Sequence, residues 1–180
     1  MSDEVPVYLA GPEVFLPDAA EVAAAKQRIC ARHGLLGVHP LDAETGLVTE
    51  DLAAPDRGLA LYDALVDQLD GCAAGIANLT PFRGPSADVG TAWEVGYLLG
   101  RGRPVVAYTN VTTHYAARVE PDGLQVEAHD LADNLMLEGA VRRSSGLAVV
   151  RVATPDAVRY TALDGFERCA VALAELLGAG

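Results

Sequence analysis

The chain has 180 residues, 51% of them hydrophobic and 21% charged. That is the balance of one globular domain spanning 1–180, and it excludes a disordered or fibrous chain. Its formal charge of −12 repels phosphate backbones and anionic lipid, so neither a nucleic acid polymer nor a membrane surface suits it as a partner.

In chain order, Val5 to Ala10 (VPVYLA) is a short β-forming run closed by Gly11-Pro12 and reads as a buried strand. The alanine-rich stretch that follows, opened by Asp18 as N-cap and closed by Gly34, reads as a helix. Leu35 to Pro40 is a second strand, weakened by its glycine, and residues 42–57, with their acids, Gly46 and Pro55, read as loop. Leu59, Leu61, Leu65 and Leu69 space a second helix that ends at Gly71. AAGIANLTPF supplies a third strand, AWEVGYLLGRG the body of a third helix and RPVVAYTN a fourth strand. Residues 111–146 show no period, and an irregular segment of that length in a compact domain is usually functional. SGLAVVRV is a fifth strand and the stretch from Thr154 onward a closing helix. This alternation predicts an α/β fold, a doubly wound, mostly parallel five-stranded sheet with helices on both faces. Ligands then sit at strand carboxyl ends, where the strand order reverses.

Cys30, Cys72 and Cys169 are odd in number and widely spaced, which speaks against a disulfide framework and fits buried, inert thiols in a reducing, cytoplasmic setting. MSDEVPVYLAGP lacks the pattern of a secretory signal, and no apolar run approaches the ~18 residues of a membrane span. His33 reads as a helix-end residue, His39 as a turn residue and Trp93 as core packing. His114 and His129 lack ligand spacing, so no metal is expected.

Two segments fall at strand carboxyl ends: LAGPEVFLPD after the first strand and LTPFRGPSADVGTAWEVGYLLG after the third. Neither GxGxxG after the first strand nor GxxxxGK[ST] anywhere is present, which disfavours dinucleotide binding and nucleotide hydrolysis. In the longer segment Gly84-Pro85 imposes a turn, Ser86 or Asp88 caps a helix, and Glu94 follows about two turns in. On a helix Glu94 shares a face with Gly90, Thr91, Tyr97 and Leu98, a small or apolar seat that suits a carboxylate lining a cavity. Such a carboxylate near Asp88 fits a two-step displacement at a sugar carbon. Spacing alone leaves open the plainer reading, Asp88 as a cap and Glu94 as a solvated helix residue.

VYLAGPEVFLPD (residues 7–18), ANLTPFRGPSADVGTAWEVGYLLG (77–100), RPVVAYTN (103–110) and LQVEAHDLADNLML (124–137) resemble, in the same order, the nucleoside 2-deoxyribosyltransferase family. The resemblance implies a flavodoxin-like fold and exchange of the base of 2′-deoxynucleosides through a covalent deoxyribosyl-enzyme, without metal or organic cofactor. The partners it implies are a small-molecule deoxynucleoside and a free nucleobase. It makes Glu94 the nucleophile, Asp88 the acid near the sugar hydroxyls and base, and Tyr8 the residue whose hydroxyl orients Glu94. Phe15 becomes the aromatic wall for the base, and Gly11, Gly90 and Met136 further substrate contacts. Asn134 matches a residue that a neighbouring subunit contributes to the 5′-hydroxyl, which implies a homo-oligomer with shared sites. The sequence departs from the family at Leu65, about where an Asp or Asn usually contacts the base; Asp63 and Asp67 are each two residues away. Two alternatives follow: an N-glycoside hydrolase of deoxynucleosides or their 5′-monophosphates, which would recruit Arg83, Ser86, Ser144 and Ser145, and a nucleoside-binding protein without turnover.

Overall fold

Alternation along the first strand, β1 (Val5–Ala10), sends Val7 and Leu9 into one core cluster and Tyr8 and Ala10 into another. In the computed structural model, which describes residues 4–44 and 51–179, β1 is joined by β2 (Leu35–Val38), β3 (Ala74–Asn78), β4 (Val105–Thr109) and β5 (Val150–Arg151). The order is β2-β1-β3-β4-β5, with every neighbouring pair parallel. This is the flavodoxin-like arrangement, and its order reverses between β1 and β3. The crevice at the carboxyl ends of those two strands is therefore the expected ligand site.

Helices α1 (Ala19–Arg32) and α6 (Asp164–Leu177) close one face, where Ile29, Cys30, Phe166 and Leu173 pack on Val7, Leu9, Ile76 and Val106. Helices α3 (Ala54–Gly71), α4 (Val89–Gly100) and α5 (Leu135–Ser145) close the other, where Leu69, Leu98 and Val141 pack on Tyr8, Ala77 and Val105. A single turn, α2 (Leu41–Glu44), follows β2. Gly75 sets how deeply α4 seats: a Cβ there would stand 2.6 Å from Leu98 Cδ1, so the strand is bare where the helix rests on it. Among the described residues no helix is long and apolar enough to cross a membrane.

The irregular segment expected over 111–146 contains α5 and a 3-10 turn, Tyr115–Arg118. The helix escapes a search for period because its buried stripe is short, Leu137, Glu138 and Val141, and one of the three is charged. The closing helix begins at Asp164 rather than near Thr154. Its expected first turns are drawn off by Asn110, whose amide donates to Arg159 O at 2.8 Å and Ala162 O at 3.0 Å. The loop expected over 42–57 is shortened by α2 and by the start of α3, where Pro55 sits in the first turn and costs no hydrogen bond; residues 45–50 lie outside the described residues. Trp93, expected in the core, is 44% exposed and stacks on Tyr97 with Tyr62 at its edge. The three cysteines are free and buried, and burial pushes each thiol up.

Candidate active site

Tyr8 is fully buried on β1, and its hydroxyl donates to Glu94 Oε1 across 2.8 Å. A tyrosine on the strand before the reversal thus meets a carboxylate on the helix after it. Burial, chiefly, pushes the Glu94 carboxyl up to about 7; the Tyr8 hydrogen bond works against this, and the charges of Asp88 and Glu13 add to it. Tyr8 is itself raised, by burial first and then by the Glu94 charge, so its hydroxyl keeps its proton and remains a donor. The pair holds one carboxylate oxygen and leaves the other for chemistry.

Asp88 is the N-cap of α4: its Oδ2 accepts from Thr91 N at 3.1 Å and lies 3.4 Å from Thr91 Oγ1. The cap is therefore Asp88, and Ser86 instead donates its hydroxyl to the buried Asp133. Asp133 also accepts from Ala87 N at 2.9 Å, which pins the loop that delivers Asp88. Gly90 leaves room for this carboxylate, since a Cβ there would stand 3.0 Å from Asp88 Oδ2. Gly11 ends β1 beside Glu13, and a Cβ at Gly11 would fall 2.0 Å from Glu13 Oε2.

Phe15 closes the 3-10 turn Pro12–Phe15 and is 54% exposed. It stacks on Phe82, ring centroids 5.2 Å apart at 12°. The Arg83 guanidinium lies over both rings, at 5.2 and 4.7 Å, from a left-handed backbone with φ 54°. The expected wall is thus a two-ring face with a cation on it, and Phe82 is a member the sequence reading missed. Leu65 is half-buried on α3, and the acids that flank it, Asp63 and Asp67, are exposed.

Asn134 and Met136 are not brought to Glu94 within the chain. Asn134 caps α5, its Oδ1 accepting from Met136 N at 2.9 Å while its amide donates to Glu127 Oε1 at 2.9 Å. Both residues line a different cavity, of about 470 Å³, with Ser86, Ala92, Val95, Gly96 and Leu137. On α4 that face lies opposite Glu94. Met136 is 72% exposed.

Sequence reasoning also missed a buried cluster beneath the site. Glu13 and Lys26, each 1% exposed, form an ion pair. Glu13 Oε1 also accepts from Asn78 Nδ2 at 2.8 Å and Tyr108 OH at 3.0 Å. A signal existed: Lys26 falls on the buried stripe of α1 with Val22, Ala23, Ile29 and Cys30, and a lysine there needs a buried counter-charge.

A family model described as nucleoside 2-deoxyribosyltransferase matches residues 7–136. The chain is 32% identical to an uncharacterized protein of Schizosaccharomyces pombe, across 88% of this chain and 87% of that protein. Its fold is similar to a 2-desoxiribosyltransferase from Leishmania mexicana, with TM-score 0.69, 26% identity, and 95% and 97% of the two chains covered. A 2-deoxyribosyltransferase from Bacillus psychrosaccharolyticus shares the fold alone, at TM-score 0.51 and 18% identity over 76% and 82% of the chains. Matched by the family model over residues 7–136 and similar in fold to the Leishmania mexicana enzyme over nearly its whole length, the chain belongs to the nucleoside 2-deoxyribosyltransferase family.

Proposed function

We propose that this protein, acting as one domain over 1–180 in the cytoplasm, exchanges the base of 2′-deoxynucleosides through a deoxyribosyl ester on Glu94. The observation that carries the reading is the 2.8 Å hydrogen bond from Tyr8 on β1 to Glu94 on α4, beside the boundary between β1 and β3 where the strand order reverses. In the first step Glu94 attacks C1′, the C1′–N bond breaks with its electrons going to the base, and the base leaves with a proton donated by Asp88. In the second step a free base gives its ring N–H proton back to Asp88, attacks C1′ from the vacated side and displaces the glutamate, so two inversions give net retention. The Phe15–Phe82 face stacks the base, and Gly11 and Gly90 leave room at the sugar. The chemistry is carried by carboxylates and a phenol, so the reading requires neither metal nor organic cofactor.

Asn134 and Met136, turned away from their own chain's Glu94, serve the site of a neighbouring copy, where the amide meets the 5′-hydroxyl; the enzyme is then a homo-oligomer. A neutral amide both donates to and accepts from a hydroxyl and offers little to a phosphate dianion, which favours nucleosides over their monophosphates. The test is incubation with deoxyinosine or thymidine plus free adenine, followed by chromatography. Deoxyadenosine supports transfer, free hypoxanthine or thymine without deoxyadenosine shows hydrolysis instead, and no reaction with either donor leaves binding without turnover. The half-buried Leu65 is the feature on which that last outcome would turn.

A further inference from the structure

The Glu13–Lys26 pair costs the desolvation of two charges, and apolar side chains of similar volume hold a core about as well. Stability therefore gives no reason for it, but its location does. Glu13 Oε2 fills the space that a side chain at Gly11 would need, so the carboxylate lies against the backbone that leads β1 out of the sheet, three residues past Tyr8. Glu13 Oε1 holds the Asn78 amide at the end of β3; Asn78 Oδ1 accepts from Thr80 N at 2.9 Å, and Thr80 Oγ1 accepts from Asn110 N at 2.9 Å. One buried carboxylate thus ties together the exits of β1, β3 and β4, which include both strands of the reversal point. Lys26 reaches it from α1, under the rings of Phe166 and Tyr108 at 5.1 and 5.8 Å. Lys26 and Asn78 hold the Glu13 carboxyl below its usual range despite full burial, so it carries charge. Three groups act on Glu94: Tyr8 from β1, Asp88 from the cap of its own helix, and Glu13 from the turn after β1.

We propose that Glu13, held by Lys26, is a positioning residue for the Tyr8–Glu94 pair, acting on the strand exits through Gly11 and Asn78 and on Glu94 through its charge. Its kinetic consequence rests on the reading of Glu94 as nucleophile; its electrostatic consequence does not. Glu13→Gln keeps the shape and removes the charge. The Glu94 carboxyl carbon, identified by its disappearance in Glu94→Gln, is titrated by ¹³C NMR in the wild type and in Glu13→Gln. Its midpoint falls once the repelling charge is gone. The acid limb of kcat/KM moves to lower pH with it, and plateau kcat drops about tenfold while KM stays within about twofold, because geometry rather than substrate affinity is lost. If Glu13→Gln does not fold with Lys26 uncompensated, the neutral pair Glu13→Gln with Lys26→Met is measured in its place. An unmoved midpoint in folded Glu13→Gln overturns the proposal whatever the activity, and a plateau kcat within twofold of wild type in either variant overturns it too. The nucleophile reading fails by a different sign, Glu94→Gln retaining turnover.

Discussion

Glu94→Gln should make the protein more stable while it removes activity, and the gain should depend on pH in a defined direction. The folded state holds the Glu94 carboxyl at about 7 against a usual 4.5, chiefly through burial. Below the unfolded value the carboxyl is protonated in both states, and Glu94 costs nothing relative to glutamine. As pH rises through about 7, the folded chain must either keep a proton that the unfolded chain has released or carry a buried charge, so stability is lost over that interval. The interval of about 2.5 units corresponds to about 3.4 kcal/mol at 1.36 kcal/mol per unit, and solvent at the open side of the half-buried side chain reduces this to about 1–3 kcal/mol. Glutamine keeps the acceptor that Tyr8 needs, so the gain is not offset by an orphaned hydroxyl. For a chain of this size it amounts to about 2–12 °C in melting temperature. Melting curves of both proteins at pH 5, 7 and 8.5 read it: the difference should be smallest at the lowest pH and largest at the highest. A difference that is flat with pH, or largest in acid, would refute the claim that Glu94 is held as a strained carboxylate.

Glu94→Ala should lower turnover at least about 10³-fold, about 4 kcal/mol of barrier, with circular dichroism unchanged, and a slow 2′-fluoro donor should leave sugar on Glu94 of the wild type by mass spectrometry. Tyr8→Phe removes the donor on Glu94 Oε1, so kcat should fall about 10- to 100-fold and the acid limb should move to higher pH; unchanged kcat with raised KM would make Tyr8 only a wall. Mixed oligomers of the inactive Glu94→Ala and Asn134→Ala chains should regain activity, since one interface then holds both native residues. No recovery after confirmed subunit mixing would end the shared-site reading.

How far the sequence could be read depended on whether a signal was local. Strands β1, β3 and β4 stand out because they are buried on both faces and lie between turn residues, and α4 because Gly84-Pro85 and Asp88 mark its start. Helix α5 was hidden because what holds it is not an apolar stripe. It is the buried Glu138, which accepts from Ala132 N at 2.6 Å and from Arg142 at 2.8 Å, together with the cap at Asn134. Polar ties between residues distant in sequence leave no period. The same holds at the site. Glu94 could be singled out from its helical face, but its partner Tyr8 lies 86 residues away and entered through family resemblance alone. The Glu13 cluster draws on α1, β3 and β4, and only Lys26, a charge on an apolar stripe, marked it in the sequence.

These distant ties also explain how the fold tolerates the carboxylate it strains. Glu94 is carried on a helix that is firmly anchored, with Val95 and Leu98 each 1% exposed and Leu98 seated against the bare backbone of Gly75. Relaxation of Glu94 into water would require α4 to lift from β3, and that would expose the apolar contacts that seat it, at about 1.5–3 kcal/mol for each large side chain. Two or three such contacts exceed what a carboxyl raised to about 7 demands. The helix therefore stays down, and the cost appears as proton affinity rather than as motion. Glycine at Gly11, Gly75 and Gly90 makes this arrangement possible, since each leaves the space into which Glu13, Leu98 and Asp88 pack. Alanine at Gly75 would act on Glu94 from beneath the helix, chiefly through Leu98, whose Cδ1 a Cβ there would meet at 2.6 Å, against ordinary contact with the Tyr8 carbonyl at 3.6 Å.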